Sequence, residues 1–110
     1  MARRVRRGEI WLYEFKKPDK RRPVLVLSRN EAIDVLPRVM VAPITSIIRD
    51  LPSEYRLGVR HGLKVESVAT FDMIQTVDQS GLRQFLGSVS ATELRAACQA
   101  LEVAVGCSDG

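Results

Sequence analysis

The chain has 110 residues, room for one compact domain with one core and none for a second. Its 45% hydrophobic and 27% charged residues are those of an ordinary globular protein, and no run approaches the ~20 apolar residues of a membrane helix, which excludes a helical membrane protein. Seventeen Lys and Arg against thirteen Asp and Glu give a formal net charge of +4, a balance that favours a polyanionic partner through counterion release without requiring one.

The basic start, Ala2-Arg3-Arg4-Val5-Arg6-Arg7, runs into Gly8-Glu9 where a secretory signal needs a long apolar stretch, so a cytoplasmic address is expected. Residues 1–6 and 107–110 are expected to be flexible tails of a single domain spanning 1–110. Residues 9–15 place Trp11, Tyr13 and Phe15 at period two and predict a first strand. Residues 16–23 crowd six charges and two prolines together and predict a basic loop. The apolar run 24–28 predicts a strand buried on both faces. A short helix is expected over 30–36, ending at Pro37, followed by a strand over 38–45 in which Pro43 marks an edge or bulge. Residues 55–59 and 66–71 form two more candidate strands around a Gly-containing turn at His61-Gly62, with further strands over 73–77 and 85–89. Short strands at regular spacing point to a small barrel or tightly curled sheet.

The last element is the clearest. Ser90 and Glu93 have the spacing of a capping box, Val89 and Leu94 can staple it, and Leu94, Ala97, Cys98, Leu101 and Val105 mark one apolar helical face that Gly106 stops. The fold class is therefore mainly β, a small curled antiparallel sheet or barrel with short helices and a C-terminal helix.

Few catalytic chemistries remain open. A single histidine, His61, excludes a two-histidine ribonuclease mechanism, and its Gly-flanked turn predicts an exposed side chain. No nucleophile elbow, phosphate-binding glycine loop or Ca²⁺ loop occurs, and Cys98 and Cys107 without a histidine cluster make no zinc site; one core thiol and one loose thiol are expected. Arginine and hydroxyl groups are left. Arg21-Arg22-Pro23 precedes one buried strand and Pro43-Ile44-Thr45-Ser46 ends the next, so a planar guanidinium fork and a hydroxyl could meet a phosphoryl group there. Composition alone favours solvated loop charges and an ordinary strand-end threonine.

The order of local sequences decides between them. Arg7-Gly8-Glu9-Ile10-Trp11, then Arg22-Pro23-Val24-Leu25-Val26-Leu27-Ser28, resembles the opening of the MazF/PemK (Kid-like) toxin family. Val41-Ala42-Pro43-Ile44-Thr45-Ser46 is similar to the family's next strand with its terminal threonine. Glu66-Ser67-Val68, the stretch Asp72-Met73-Ile74-Gln75-Thr76-Val77-Asp78, and Gly87-Ser88-Val89-Ser90 leading into a helix extend the likeness from Arg7 to Gly106.

That resemblance implies the MazF/Kid/CcdB-type curled sheet, a homodimer, and metal-independent, cofactor-free, sequence-selective cleavage of single-stranded RNA. It also implies inhibition by a MazE-like antitoxin with an acidic tail. Arg22 matches the family's catalytic arginine and Thr45 its catalytic threonine or serine, while Asp72 holds an acidic position that is usually Glu. Lys16, Lys17, Lys20, Arg21 and Arg49 are expected along the RNA backbone, joined by Ser46, Asp72 and Gln75 as substrate contacts; Trp11, Tyr13 and Phe15 are expected mainly in the core. The chain departs from the family in a shorter, more basic loop without its glutamate, and in Met73 and Gln75 where Gln and a basic residue are common. A different cleavage sequence is expected. The rival readings are a gyrase-poisoning toxin like CcdB, a plain nucleic-acid-binding barrel, and a toxin homologue that has lost cleavage.

Overall fold

Val24, Leu25 and Val26 are all fully buried although consecutive strand residues point to opposite faces, so the sheet that contains them is covered on both sides. The computed structural model describes residues 4–16 and 21–106. Among them lie seven strands and two α-helices: β1 Glu9–Glu14, β2 Arg21–Val26, α1 Asn30–Val35, β3 Arg38–Thr45, β4 Glu54–Leu57, β5 Ser67–Thr70, β6 Gln75–Asp78, β7 Leu82–Ser88 and α2 Ala91–Val105. Single 3-10 turns occupy Val59–His61, Phe71–Met73 and Gln79–Gly81. The strands run antiparallel in the order β4-β5-β3-β2-β1-β7, and β6 also pairs with β3.

β3 makes the sheet curl. Its first half, Arg38 to Val41, pairs with β6, and its end, Ile44 and Thr45, pairs with β5. Pro43 falls at the changeover, so it sits inside the sheet rather than on an edge, and the carbonyl it leaves there accepts the Thr70 hydroxyl at 3.0 Å. The alternation of β1 to β3 feeds two cores. Ile10, Leu25, Ala42 and Ile44 pack with Leu57, Phe71 and the Ala97 and Ala100 face of α2. Trp11, Val24, Val26, Val39 and Val41 pack with Ile33 of α1, Val77 of β6 and Val5.

Four expectations shift. β2 starts at Arg21, inside the stretch expected to be loop, with Arg21 opposite Glu14 and Arg22 opposite Tyr13. Exposed charged side chains do not hinder a strand, and Pro23 precedes the first β2–β3 pair, so its missing N–H takes nothing from that ladder. The expected N-terminal tail is packed from residue 4 onward: Val5 is buried, and the Arg4 and Arg6 guanidinium groups both bind the Asp34 carboxylate. The apolar face of α2 turns toward Ala97, Ala100, Leu101 and Ala104, leaving Val105 exposed. His61 is buried, at 3% exposure, because its ring fills a turn that lies against β7 and α2. Capping of α2 is as expected: the Glu93 N–H donates to Ser90 Oγ at 3.1 Å and the Ser90 N–H to Glu93 Oε1 at 2.8 Å. Among the described residues no helix is long and apolar enough to cross a membrane.

Candidate active site

The end of β1, the start of β2 and the end of β3 share one rim of the sheet. The β2–β3 register ends with Val24 paired to Pro43, and Arg22 and Thr45 each lie two residues beyond that pair. Both residues border two grooves, one of about 530 Å³ and one of about 560 Å³, so they stand on the ridge between them. In the first groove Arg21, Pro23, Ile44 and Ser46 join them, with Gly62, Leu63, Lys64 and Val65 of the turn after Val59–His61, and with Leu12, Gln84 and Leu86 of β1 and β7. In the second the neighbours are Phe15, Lys16, Pro43, Arg49, Thr70, Met73 and Gln75.

Among the described residues no carboxylate lines either groove, whereas Arg21, Arg22 and Lys64 line the first and Lys16, Arg22 and Arg49 the second. Low-dielectric walls carrying one sign of charge concentrate an anion between them. Glu14, just behind the rim, holds the Arg21 guanidinium at 2.9 Å and lies 3.8 Å from that of Arg83. The guanidinium groups of Arg22 and Arg49 make no hydrogen bond or ion pair with any described residue, so their donors are free for a ligand. Thr45 Oγ1 accepts the Ile47 N–H at 3.1 Å, which orients the oxygen and leaves its own proton to be donated.

Of the residues expected at the site from sequence, Arg21, Arg22, Thr45 and Ser46 come together in the first groove, and Lys16, Arg49 and Gln75 meet Arg22 and Thr45 in the second. Asp72 lies apart: it borders a third depression with Phe71, Ile74 and Cys98, and its carboxylate accepts the Ser53 hydroxyl. Lys17 and Lys20 are outside the described residues. Among the aromatics, Trp11 is a core residue whose indole N–H donates to Glu9 at 3.0 Å, and Phe15, stacked edge-on to Tyr13 at 4.6 Å, reaches the second groove. Sequence reasoning missed Lys64 and Gln84. Both carry polar side chains, but nothing local tells that the turn after His61 folds back over the strand ends. Among the described residues no three His, Cys, Asp or Glu side chains are grouped to hold a metal ion.

Comparison with known proteins supplies the family. Residues 6–105 match the model for the PemK-like, MazF-like toxin of type II toxin-antitoxin systems, a span that takes in the whole rim and both grooves. The chain belongs to this family. It is 43% identical over 103 residues to the "Probable endoribonuclease MazF5" of Mycobacterium tuberculosis, covering 93% of this chain and 94% of that protein. The solved structure of the Mycobacterium tuberculosis toxin MazF-mt6 superimposes with a TM-score of 0.81 at 33% identity, covering 89% of this chain and 96% of that one. A mycobacterial endoribonuclease in complex with its cognate antitoxin has the same fold, with a TM-score of 0.82 at 23% identity over 94% of this chain and 96% of that one. The curled antiparallel sheet with short helices is thus the fold of the MazF/PemK toxins.

Proposed function

We propose that this chain is the toxin of a type II toxin-antitoxin pair, an endoribonuclease that cuts single-stranded RNA without a metal ion, acts in the cytoplasm as a homodimer, and is held inactive by a MazE-like antitoxin. The observation that carries the reading is the ridge: a guanidinium without a partner among the described residues and an oriented hydroxyl on adjacent strand ends, flanked by two grooves that the described residues line with cations and no carboxylate. A relative described as an endoribonuclease at 43% identity supports the activity, and the antitoxin complex of a structural neighbour supports the partner.

In this mechanism the ribose 2′-oxygen attacks the adjacent phosphorus while the bond from phosphorus to the 5′-oxygen breaks. The 2′-hydroxyl proton passes to solvent, the 5′-oxygen takes up a proton from solvent as it leaves and becomes a hydroxyl, and a 2′,3′-cyclic phosphate remains. A guanidinium stays protonated up to a pH of about 12, so Arg22 is a poor base and a good partner for the dianionic phosphorane. Thr45 donates a hydrogen bond to the same phosphoryl oxygens. Lys16, Arg21 and Arg49, with Ser46 and Gln75, hold the strand on either side, and Phe15 offers a face for a base. Incubating the purified protein with a long single-stranded RNA in EDTA, beside an Arg22→Ala control, tests the reading. Discrete cuts with 5′-hydroxyl ends, absent from the control, are expected; intact RNA from folded protein would move the weight to gyrase poisoning or to a toxin that has lost cleavage.

A further inference from the structure

We propose that Lys64 is an RNA-backbone contact in the wall of the first groove, and that His61 and Glu93 are positioning residues that hold that wall in place. The inference rests on the RNA-cleaving reading of the Arg22 and Thr45 ridge. Lys64 is exposed, makes no hydrogen bond or ion pair with any described residue, and borders the same cavity as Arg22 and Thr45. The nearest acid in sequence, Glu66, lines a separate small depression with Arg56 and Gly58, so it does not neutralise the groove. A strand held at Arg22 in this groove therefore meets a further positive charge, borne by a separate segment of the chain.

That wall is unusually well fixed. The Gly58 N–H donates to His61 Nδ1 at 3.0 Å, which places the ring proton on Nε2, and Nε2 donates to Glu93 Oε2 at 2.8 Å. The same carboxylate oxygen takes the Arg60 guanidinium at 2.6 Å, while Oε1 accepts the Ser90 N–H at the start of α2. One buried imidazole thus ties the turn Val59–His61 to the N-terminus of the last helix. From behind, the turn rests on β7 so closely that a Cβ on Gly62 would lie 2.0 Å from the Leu86 carbonyl oxygen. Leu63 is buried next, and the Ser67 hydroxyl closes the far end of the loop on the Val65 carbonyl at 3.0 Å. Lys64 emerges between these anchors with its backbone immobilised, the condition under which a flexible side chain contributes a defined contact.

The test uses steady-state cleavage of an RNA oligomer by the full chain, with Lys64→Met, His61→Gln and the double variant, each checked for folding by thermal melting. Lys64→Met is expected to raise KM about three- to tenfold with kcat within about twofold. It should also lower the slope of log KM against log salt by about 0.7, the contribution of one phosphate contact on a single strand. His61→Gln should raise KM in the same direction, and the double variant should be no worse than Lys64→Met alone, because the latch acts through the lysine. An unchanged KM and salt slope in Lys64→Met overturns the inference, and additive effects in the double variant overturn the positioning role of His61. Binding of the same proteins to an RNA carrying 2′-O-methyl riboses reads the Lys64 contact without cleavage. Loss of salt slope there, in a protein that cuts no RNA, would sink the nuclease reading and leave the Lys64 contact standing.

Discussion

A guanidinium on a strand end is useful because it is charged at every physiological pH and because the strand fixes where its fork points. Arg22 has both properties, with its backbone paired to Tyr13 and its side chain exposed in two grooves. Arg22→Ala is expected to lower cleavage by at least ~10²–10³, the usual cost of one preorganised donor, with an unchanged melting temperature because the side chain supports no core. Arg22→Lys should recover little, since a point charge cannot reproduce the fork. Thr45→Ala should lose somewhat less and Thr45→Ser should retain most activity, because only the hydroxyl is asked to donate. Single-turnover rates on one RNA oligomer check all four. A second residue sets the acid limit of the fold. The Ser90 N–H, then His61 and Arg60, hold the Glu93 carboxyl at about 2, below the ordinary 4.5. A depressed acid stabilises the fold fully above its unfolded value and loses that contribution as pH falls from about 4.5 toward 2. Glu93→Gln should therefore destabilise the protein near neutral pH by about 1–2 kcal/mol and flatten the fall in stability over that window, as read by urea unfolding at several pH values.

At the scale of elements, what the sequence disclosed depended on whether the determinants were local. The helix α2 was legible because Ser90, Glu93 and Gly106 act within one turn of the positions they define, and β1, α1 and β3 because alternation or a terminal proline sufficed. The start of β2 was hidden because three consecutive residues unfavourable by composition are accommodated by pairing to β1, a partner seven or more residues away. The burial of His61 and the Lys64 wall were hidden for the same reason: both follow from the turn meeting β7 and Glu93, over twenty residues distant in the chain. Arg22 and Thr45 could be named from motif resemblance, but that they share two grooves follows from the pairing of β2 with β3, which brings their strand ends together. Two glycines separate these kinds of constraint. Gly62 and Gly106 both have positive φ, +89° and +69°, yet a Cβ on Gly62 meets the Leu86 backbone at 2.0 Å and one on Gly106 meets nothing within 4 Å. Gly106→Ala should cost roughly 1 kcal/mol, the left-handed penalty alone, while Gly62→Ala should cost clearly more and also raise KM by moving the groove wall. Equal melting temperatures for the two variants would contradict the contact between turn and strand.

For the molecule as a whole, the grooves and the apolar surface make different demands. A chain of this size leaves Val35, Leu36, Met40, Val103 and Val105 between 47% and 77% exposed, large side chains that a solitary domain gains nothing by presenting to water. Met40 and Val105 border one depression of about 570 Å³ together with Ile74, Leu101 and Ala104, so β3, α2 and the residue before β6 converge on a partly apolar surface. The cationic ridge lies at the other end of β3, at Thr45, and Met40 and Val105 line neither of its grooves. Association through the apolar surface would bury side chains that contribute about 25 cal/mol per Å² of apolar area covered, offsetting the entropy lost on pairing only if the contact is extensive. Light scattering of the wild-type chain at tens of micromolar is expected to give twice the monomer mass. Met40→Asp with Val105→Asp should shift it to the monomer without lowering helix content, since neither side chain belongs to a buried cluster. A wild-type chain that stays monomeric throughout would show that this surface is covered by another partner, for which the antitoxin is the first to test by titration.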